Sequence, residues 1–249
     1  MRTNSIAFIP ARSGSKRISH KNIKLLNGHP LLAYSVRAAV DSNLFDSVVC
    51  VTDSPEYAAV AVYYGAEVPV LRPVELAGDL SPDIEWVVWI LNYLKASGKI
   101  FDVFSILRPT SPFRLAGTIK RAYSAFIDER GVDSLRAVQK CLQHPGKMWT
   151  LNNNRMSPIL PYKNDSVPWH SSQYSALPDV YVQDASLEIA WCKNALQFNT
   201  ISGQAVMPFL SREMEGFDIN EPEDWLLAEI YLSTGQASLP PINQRPFKI

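Results

Sequence analysis

The sequence is poor in cysteine and histidine. Its three cysteines are far apart, which is neither the density of a disulfide framework nor the close spacing of a metal site: Cys50, Cys141 and Cys192. Two of them fall in apolar segments typical of strands, so we expect buried thiols in a reducing compartment. The four histidines show no zinc-type spacing, which gives a metallohydrolase little support.

The sequence also lacks an excess of either charge and any long apolar run. Its 24 basic and 24 acidic residues cancel, so any affinity for phosphate must be local and broad nucleic-acid binding is disfavoured. The first apolar run ends at Pro10, which is too early for a secretion signal, and no later run is long enough to span a membrane. We therefore expect a cytoplasmic protein without a membrane segment.

Strand-like and helix-like runs alternate through the first half. The strand-like runs are residues 6–9, 47–52, 67–70 and 103–107, and the helix-like runs are residues 30–41, 55–64 and 83–95. Further helices are predicted at residues 116–129 and 221–232, and further strands at residues 134–138 and 180–191. Near-continuous hydrophobicity indicates strands covered on both faces. The pattern predicts an α/β fold with a mostly parallel sheet.

Three polar segments each follow a predicted strand. They are residues 12–21, the turn at Asp53, and residues 108–114. Ligands of open parallel sheets bind beyond the carboxyl ends of the strands. We therefore expect these three segments to meet at one crevice, although they are far apart in sequence.

The first of these segments combines small residues with cations. Ser13, Gly14 and Ser15 would let backbone N–H groups approach phosphate oxygens, while Arg12, Lys16 and Lys21 supply positive charge: together they are typical of a nucleotide triphosphate site. The spacing of glycine and lysine does not match a Walker A motif, so a P-loop kinase is disfavoured. An ordinary strand-to-helix turn on a basic surface is the alternative.

Several segments resemble the acylneuraminate cytidylyltransferase family, the CMP-sialic acid synthetases. The N-terminal signature is Ala-Arg-Ser-Gly-Ser-Lys at residues 11–16 with Lys-Asn at residues 21–22. Residues 51–53, 70–79 and 107–114 resemble three further motifs in the family's order, and residues 217–220 and 224–225 resemble its late metal-binding segment. The resemblance implies a Rossmann-like three-layer α/β/α sandwich of the nucleotide-diphospho-sugar transferase type.

The resemblance also assigns roles around CTP. It makes Arg12 and Lys16 the catalytic cations on the triphosphate, and it implies a nucleotide site of Arg12, Ser13, Gly14, Ser15, Lys16, Lys21, Asn22 and Arg72. The Asn22 amide carries a donor and an acceptor, which suits reading a cytosine edge, and a helix or turn cap is its alternative role. For Mg²⁺ the resemblance points to Asp218 and to Asn220, which stands where the family usually has a second Asp.

The acceptor site departs most from the family pattern. We expect it to contain Arg108, Thr110, Ser111, Arg114, Asp184 and Glu188. Arg108 replaces a usual Gln and would suit a more anionic acceptor, while Arg108 or Arg114 would pair with a sugar carboxylate. Asp184 or Glu188 could instead assist the metal, because Asn220 brings no charge. Alternatively, Asp218 and Asn220 merely form a turn.

Together these features predict one nucleotidyltransferase domain over residues 1–235. Residues 144–178 form an irregular loop, which the resemblance makes a dimerisation arm and part of the sugar pocket, and residues 236–249 form a loosely attached tail. The predicted activity joins CTP to a sialic acid-like nonulosonic acid, giving a CMP-sugar and pyrophosphate, with Mg²⁺ and in a homodimer. The alternatives are a more anionic acceptor, such as a sugar 1-phosphate, and a catalytically idle nucleotide-binding protein.

Overall fold

The computed structural model describes residues 3–161 and 167–248. The strands are β1 (Ser5–Pro10), β2 (Leu25–Leu26), β3 (His29–Pro30), β4 (Ser47–Val51), β5 (Val103–Ile106), β6 (Ser134–Lys140), β7 (Trp149–Asn152), β8 (Arg155–Pro158), β9 (Tyr181–Trp191) and β10 (Val206–Leu210). The α-helices are α1 (Leu31–Ser42), α2 (Pro55–Tyr63), α3 (Asp83–Ala96), α4 (Ala116–Asp128), α5 (Cys192–Phe198) and α6 (Pro222–Ser233).

Six strands form one sheet in the order β10-β6-β9-β5-β1-β4. β1 pairs in parallel with β4 on one side and with β5 on the other, and β9 runs antiparallel to β5. Consecutive parallel strands are connected through helices, as the alternating sequence pattern predicts. This arrangement brings the loops after β1, β4 and β5 to one edge of the sheet.

Alternate residues of β1 pack on opposite faces of the sheet, because successive side chains of a strand point to opposite sides. Ala7 and Ile9 belong to a core cluster that includes buried residues of α1, α2 and α4. Ile6 and Phe8 belong to a second cluster with α3 and α5, in which the fully buried Trp86 makes an edge contact with Phe8. The predicted three-layer α/β/α sandwich is confirmed.

Some elements differ from the sequence prediction. Residues 67–70 do not form a strand, and only Glu67 bridges to Val49, because Pro69 has no N–H to continue the ladder. The sequence analysis misses α5, which spans only seven residues. It also misses β10, whose Pro208 disguises a strand that lies at the edge of the sheet.

The chain divides into two compact units, Met1–Ala137 with Asp184–Ile249, and Val138–Gln183. The smaller unit includes the hairpin of β7 and β8 and the residues predicted as an irregular excursion. Within it, the buried His144 ring accepts a hydrogen bond from the Gly146 N–H and contacts the Pro178 carbonyl through Nε2 at 3.0 Å. Residues 162–166 of the predicted excursion lie outside the described residues.

The C-terminal tail packs against the end of α2, which differs from the loosely attached tail that the sequence predicts. The Tyr63 hydroxyl donates to the Arg245 carbonyl at 2.8 Å, and Gln244 donates to the Tyr63 carbonyl at 3.0 Å. Phe247 donates its N–H to the Tyr64 hydroxyl and stacks edge-on against Tyr63. The proline-rich sequence of the tail does not predict these contacts, because they depend on backbone groups and two aromatic rings.

No helix in the described residues combines the length and the apolar character needed to cross a membrane.

Candidate active site

A cleft of about 400 Å³ lies beyond the carboxyl ends of β1 and β5. This volume falls within the range of small-molecule sites, and the position is where open α/β sheets bind ligands. Many of the residues predicted from sequence line it together: Arg12, Ser15, Lys16, Lys21, Asn22, Arg72, Arg108, Thr110, Asp218 and Asn220. The predicted convergence of distant segments therefore holds.

The loop after β1 is fixed by Asp53, whose turn the sequence analysis placed at the crevice without giving the side chain a role. Both Asp53 oxygens accept hydrogen bonds from Ser13, one from its N–H at 2.8 Å and one from its hydroxyl at 2.7 Å. The Ser15 N–H donates to the Ser13 carbonyl at 2.9 Å. In this structure the N–H groups of Ser13 and Ser15 are therefore engaged within the protein. The role of the Ser13, Gly14 and Ser15 backbone at a phosphate stays a prediction, and the side-chain cations of the cleft are the groups most directly available to an anion.

Arg12 and Lys16 meet at one carboxylate. Arg12 Nη1 lies 2.7 Å from one Asp79 oxygen, and the Lys16 ammonium pairs with the other. Hydrogen bonds from Lys16 and Arg12 hold the pKa of Asp79 below its usual range. All three side chains are at least a third exposed, and Lys16 is 80% exposed. Asp79 thus pairs with the two cations assigned to a triphosphate, and we expect the phosphates to compete with it.

Arg72 contributes a buried cation to the same cleft. It is 6% exposed, one of its terminal nitrogens donates to the Leu76 carbonyl, and its guanidinium lies 5.5 Å from the Trp86 ring centre. Within the described residues its buried Nε has no hydrogen-bond partner, and burial lowers its pKa. Because a buried donor without a partner is costly, this geometry favours an anionic ligand that would accept the bond.

Lys21 and Asn22 hold the loop from its far end. The Lys21 ammonium donates to the Ile219 carbonyl at 2.8 Å, and burial lowers its pKa. The Asn22 amide donates to the Arg12 carbonyl at 3.0 Å and is 6% exposed. This bond uses one of the two N–H donors of the amide, so the second N–H and the oxygen remain for a ligand, and the oxygen matches the amino group of cytosine.

Arg108 lies in an ion-pair network rather than standing as an unpaired cation. Its Nη2 donates to Asp83 at 2.5 Å and to Glu188 at 2.8 Å, and Glu188 pairs in addition with Arg136. The Glu188 side chain is 4% exposed and pairs with the two arginines, so its predicted contact with substrate or metal is not seen in this structure and stays a prediction.

Other predicted acceptor residues lie beneath the cleft instead of lining it. The fully buried Arg114 donates to the Ser35 hydroxyl at 2.7 Å and to the carbonyls of Ser186 and Arg108. The buried Asp184 accepts hydrogen bonds from Ser186 and Ser211, and the buried Ser111 does not line the cleft. In this conformation Arg114 and Asp184 bind protein groups and all three residues are shielded from solvent, so their contact with substrate stays a prediction.

Asp218 and Asn220 lie together at the cleft, next to the start of α6. The Asn220 amide nitrogen donates to one Asp218 oxygen at 2.5 Å, while the other Asp218 oxygen is buried and has no hydrogen-bond partner within the described residues. Asp224 accepts bonds from the N–H groups of Asn220 and Glu221, both at 2.8 Å, and so fixes the segment.

This pair fits a hard cation only in part. The described residues contain no cluster of three or more His, Cys, Asp or Glu side chains that could hold a metal by themselves. Mg²⁺, however, usually takes one or two protein carboxylates and completes its shell with water and substrate phosphates. The Asp218 oxygen that has no hydrogen-bond partner within the described residues is the carboxylate ligand that fits such a site.

The sequence profile of the cytidylyltransferase family matches residues 6–88. The CMP-N,N'-diacetyllegionaminic acid synthase of Legionella pneumophila is 33% identical over 237 residues, which cover 94% of this chain and 98% of that enzyme. The chain belongs to the acylneuraminate cytidylyltransferase family. Membership makes it a nucleotidyltransferase. A second member, the N-acylneuraminate cytidylyltransferase of Escherichia coli, is 46% identical over 114 residues, 46% of this chain and 26% of that protein.

Solved structures agree on the fold of this cytidylyltransferase. A CMP-2-keto-3-deoxy-manno-octonic acid synthetase, solved in complex with CTP, superposes with a TM-score of 0.67 at 12% identity, over 94% of this chain and all of the other. A 4-diphosphocytidyl-2C-methyl-D-erythritol synthase from Anaerococcus prevotii superposes with a TM-score of 0.60 at 14% identity, over 93% and 99%. The fold is therefore the Rossmann-like nucleotide-sugar transferase fold.

Proposed function

We propose that this cytidylyltransferase activates a nonulosonic acid of the sialic acid type with CTP, giving a CMP-sugar and pyrophosphate. The observation that carries the proposal is one cleft lined by Arg12, Lys16, Arg72 and Asp218, in which one Asp218 oxygen has no hydrogen-bond partner within the described residues. Three cations suit a triphosphate, and a carboxylate beside them suits its metal. Family membership supplies the nucleotide and the class of acceptor.

In the proposed reaction the anomeric hydroxyl oxygen of the sugar attacks the α-phosphorus of CTP. The bond from that phosphorus to the bridging oxygen breaks, pyrophosphate leaves with the bond's electrons, and the hydroxyl proton passes to solvent. Arg12 and Lys16 would leave Asp79 and pair with phosphate oxygens, where charge increases as pyrophosphate departs. Arg72, which lines the same cleft, would pair with the same polyphosphate. The Asn22 oxygen would accept a hydrogen bond from the cytosine amino group.

Asp218, with Asn220 beside it, would hold Mg²⁺. A bound Mg²⁺ neutralises phosphate charge and orients the triphosphate. Asp218→Asn should weaken Mn²⁺ binding to the protein–CTP complex by about tenfold or more, while Asn220→Asp, which adds a carboxylate, should strengthen it. Electron paramagnetic resonance of Mn²⁺ measures this binding without turnover. Equal Mn²⁺ affinity in wild type and Asp218→Asn would refute the assignment.

The acceptor would lie against Arg108 and Thr110, the predicted acceptor residues that line the cleft. Because Arg108 is already paired with two carboxylates, its positive charge is balanced, and it mainly offers hydrogen bonds to a ligand. This favours a sugar carboxylate over the dianion of a sugar 1-phosphate. We further propose a homodimer, as the family resemblance implies, and a cytoplasmic location, as the sequence pattern predicts. Light scattering after gel filtration would measure the assembly.

Pyrophosphate release tests the proposed function directly. Purified protein with Mg²⁺ is given CTP, GTP, UTP or ATP and, in turn, N-acetylneuraminic acid, N,N'-diacetyllegionaminic acid, pseudaminic acid and a sugar 1-phosphate. The proposal expects release only with CTP and one or more of the three sugar acids. Release only with the sugar 1-phosphate, or nucleotide binding without release in any mixture, would contradict it.

A further inference from the structure

Arg108 is held by carboxylates from two different elements. Asp83 is the first residue of α3, and Glu188 lies on β9. Both bonds use the same guanidinium nitrogen, Nη2, at 2.5 and 2.8 Å. The side chain of Arg108 is 26% exposed and lines the cleft, so the guanidinium is fixed on one side and reaches the cleft on the other.

Each of the two carboxylates is anchored in turn. The second Asp83 oxygen accepts a hydrogen bond from the indole N–H of Trp86 at 2.7 Å, and that indole is fully buried. The second Glu188 oxygen pairs with Arg136 on β6. Burial raises the pKa of Asp83, but Arg108 and the indole N–H outweigh that effect and hold it below the ordinary value. Asp83 is therefore charged at neutral pH.

The network fixes what Arg108 can still do. Within the described residues, its Nη1 and Nε make no hydrogen bond to the protein, so these donors remain for a ligand. Arg108, Arg136, Asp83 and Glu188 sum to zero formal charge. Such a network can donate charge-assisted hydrogen bonds to a carboxylate without adding a net charge of its own.

We infer that Asp83 is a positioning residue for the reaction, which with Glu188 sets Arg108 to recognise the carboxylate of the acceptor. The inference rests on the proposed function, and it names the group that reads the sugar acid. Asp83 acts through Arg108 and needs no contact with the sugar.

The test compares the best sugar acid of the panel above with its own methyl ester, which lacks the negative charge. Wild type should prefer the acid by about 10- to 100-fold in kcat/KM, the range expected for a hydrogen bond to a charged group. Asp83→Asn should reduce this preference by about tenfold through a higher KM for the acid, with KM for CTP within about twofold of wild type. Asp83→Glu should restore part of the preference. Asp128→Asn, an exposed change at the end of α4, is the matched control and should change nothing.

A double-mutant cycle separates positioning from a general structural effect. Arg108→Gln should abolish the preference for the acid, and adding Asp83→Asn to it should have no further effect on that preference. Thermal melting and CTP titration of each variant establish that it is folded and binds nucleotide. A preference unchanged in Asp83→Asn, or additive effects in the double variant, would overturn the inference while the proposed function stands. Wild type that releases no pyrophosphate with any sugar acid would overturn both.

Discussion

Replacing Asp79 by Asn should make the enzyme bind CTP more tightly. In the structure this carboxylate pairs with Arg12 at 2.7 Å and with Lys16, the two cations that we assign to the triphosphate. CTP must then displace Asp79, and Asn, an isosteric neutral side chain, removes the competing charge. The substitution should therefore lower KM for CTP.

The size of the effect follows from the exposure of the two pairs. The Asp79 side chain is 36% exposed and Lys16 is 80% exposed, so each pair changes an equilibrium constant by only about 1.5- to 5-fold. If the two effects add, the limits are about 2- and 25-fold, and the retained amide oxygen still accepts one bond, so we expect about three- to fivefold. Salt should reduce the difference, since the screening length falls from about 10 Å at 0.1 M to about 3 Å at 1 M.

The assay is titration calorimetry with CTP at two salt concentrations, together with KM from pyrophosphate release. Glu75→Gln is the matched control, because it removes the same charge from an exposed residue of the same loop that makes no ion pair within the described residues. CTP affinity in Asp79→Asn that equals or falls below that of Glu75→Gln would refute the competition. An advantage that persists unchanged in high salt would show that its origin is not electrostatic.

Three further predictions concern single side chains. Lys16→Ala should lower kcat/KM by about a hundredfold. It should move the melting temperature by less than about 2 °C, because the Lys16 side chain is 80% exposed. Lys120→Ala on the exposed face of α4 is the control, and an unchanged rate in Lys16→Ala would show that Lys16 does not bind the phosphates. Arg114→Met should lower the free energy of unfolding, measured in urea, by about 3 kcal/mol, because it leaves the Ser35 hydroxyl and two carbonyls without a buried donor. A normal unfolding midpoint together with a raised KM for the acceptor would instead support direct contact between Arg114 and substrate. Burial raises the pKa of Cys50 and Cys192 to about 12, so about one of these thiols in ten thousand is ionised at pH 8. A thiol reagent should therefore modify only Cys141 rapidly in the native protein. Fast reaction at all three cysteines would contradict the burial of Cys50 and Cys192.

Much of the fold was predictable because its signals are local. The apolar strands, the helices between them and the loops at strand ends each occupy a short stretch of sequence, and parallel topology follows from their alternation. The predicted bounds of the first helices differ from the observed ones by one residue or so. The exception at residues 67–70 has a local cause, Pro69, that apolar content concealed.

The site was predictable in its location and less so in its internal pairing. The family resemblance, together with the rule that ligands bind beyond the carboxyl ends of parallel strands, predicted that Arg12, Lys16 and Asp218 share one cleft, as observed. Sequence could not show that Ser13 bonds to Asp53 or that Asp79 pairs with both cations, because these contacts join residues 40 to 67 positions apart. Whether a charged residue serves substrate or protein is decided by such distant partners.

Arg114 and Arg108 illustrate this limit. Both belong to the same motif and carry the same charge, yet Arg114 is fully buried, whereas the Arg108 side chain is 26% exposed at the cleft. The partner that distinguishes them is on β9: the Ser186 carbonyl for Arg114 and the Glu188 carboxylate for Arg108. A motif gives the residue type, but the sheet order sets its environment.

A crystal structure of the enzyme with CTP tests the central claim most directly. The account predicts that Arg12 and Lys16 leave Asp79 and lie within hydrogen-bond distance of phosphate oxygens, with Asp218 beside the polyphosphate. A complex in which both cations remain on Asp79 while CTP occupies another surface would contradict it.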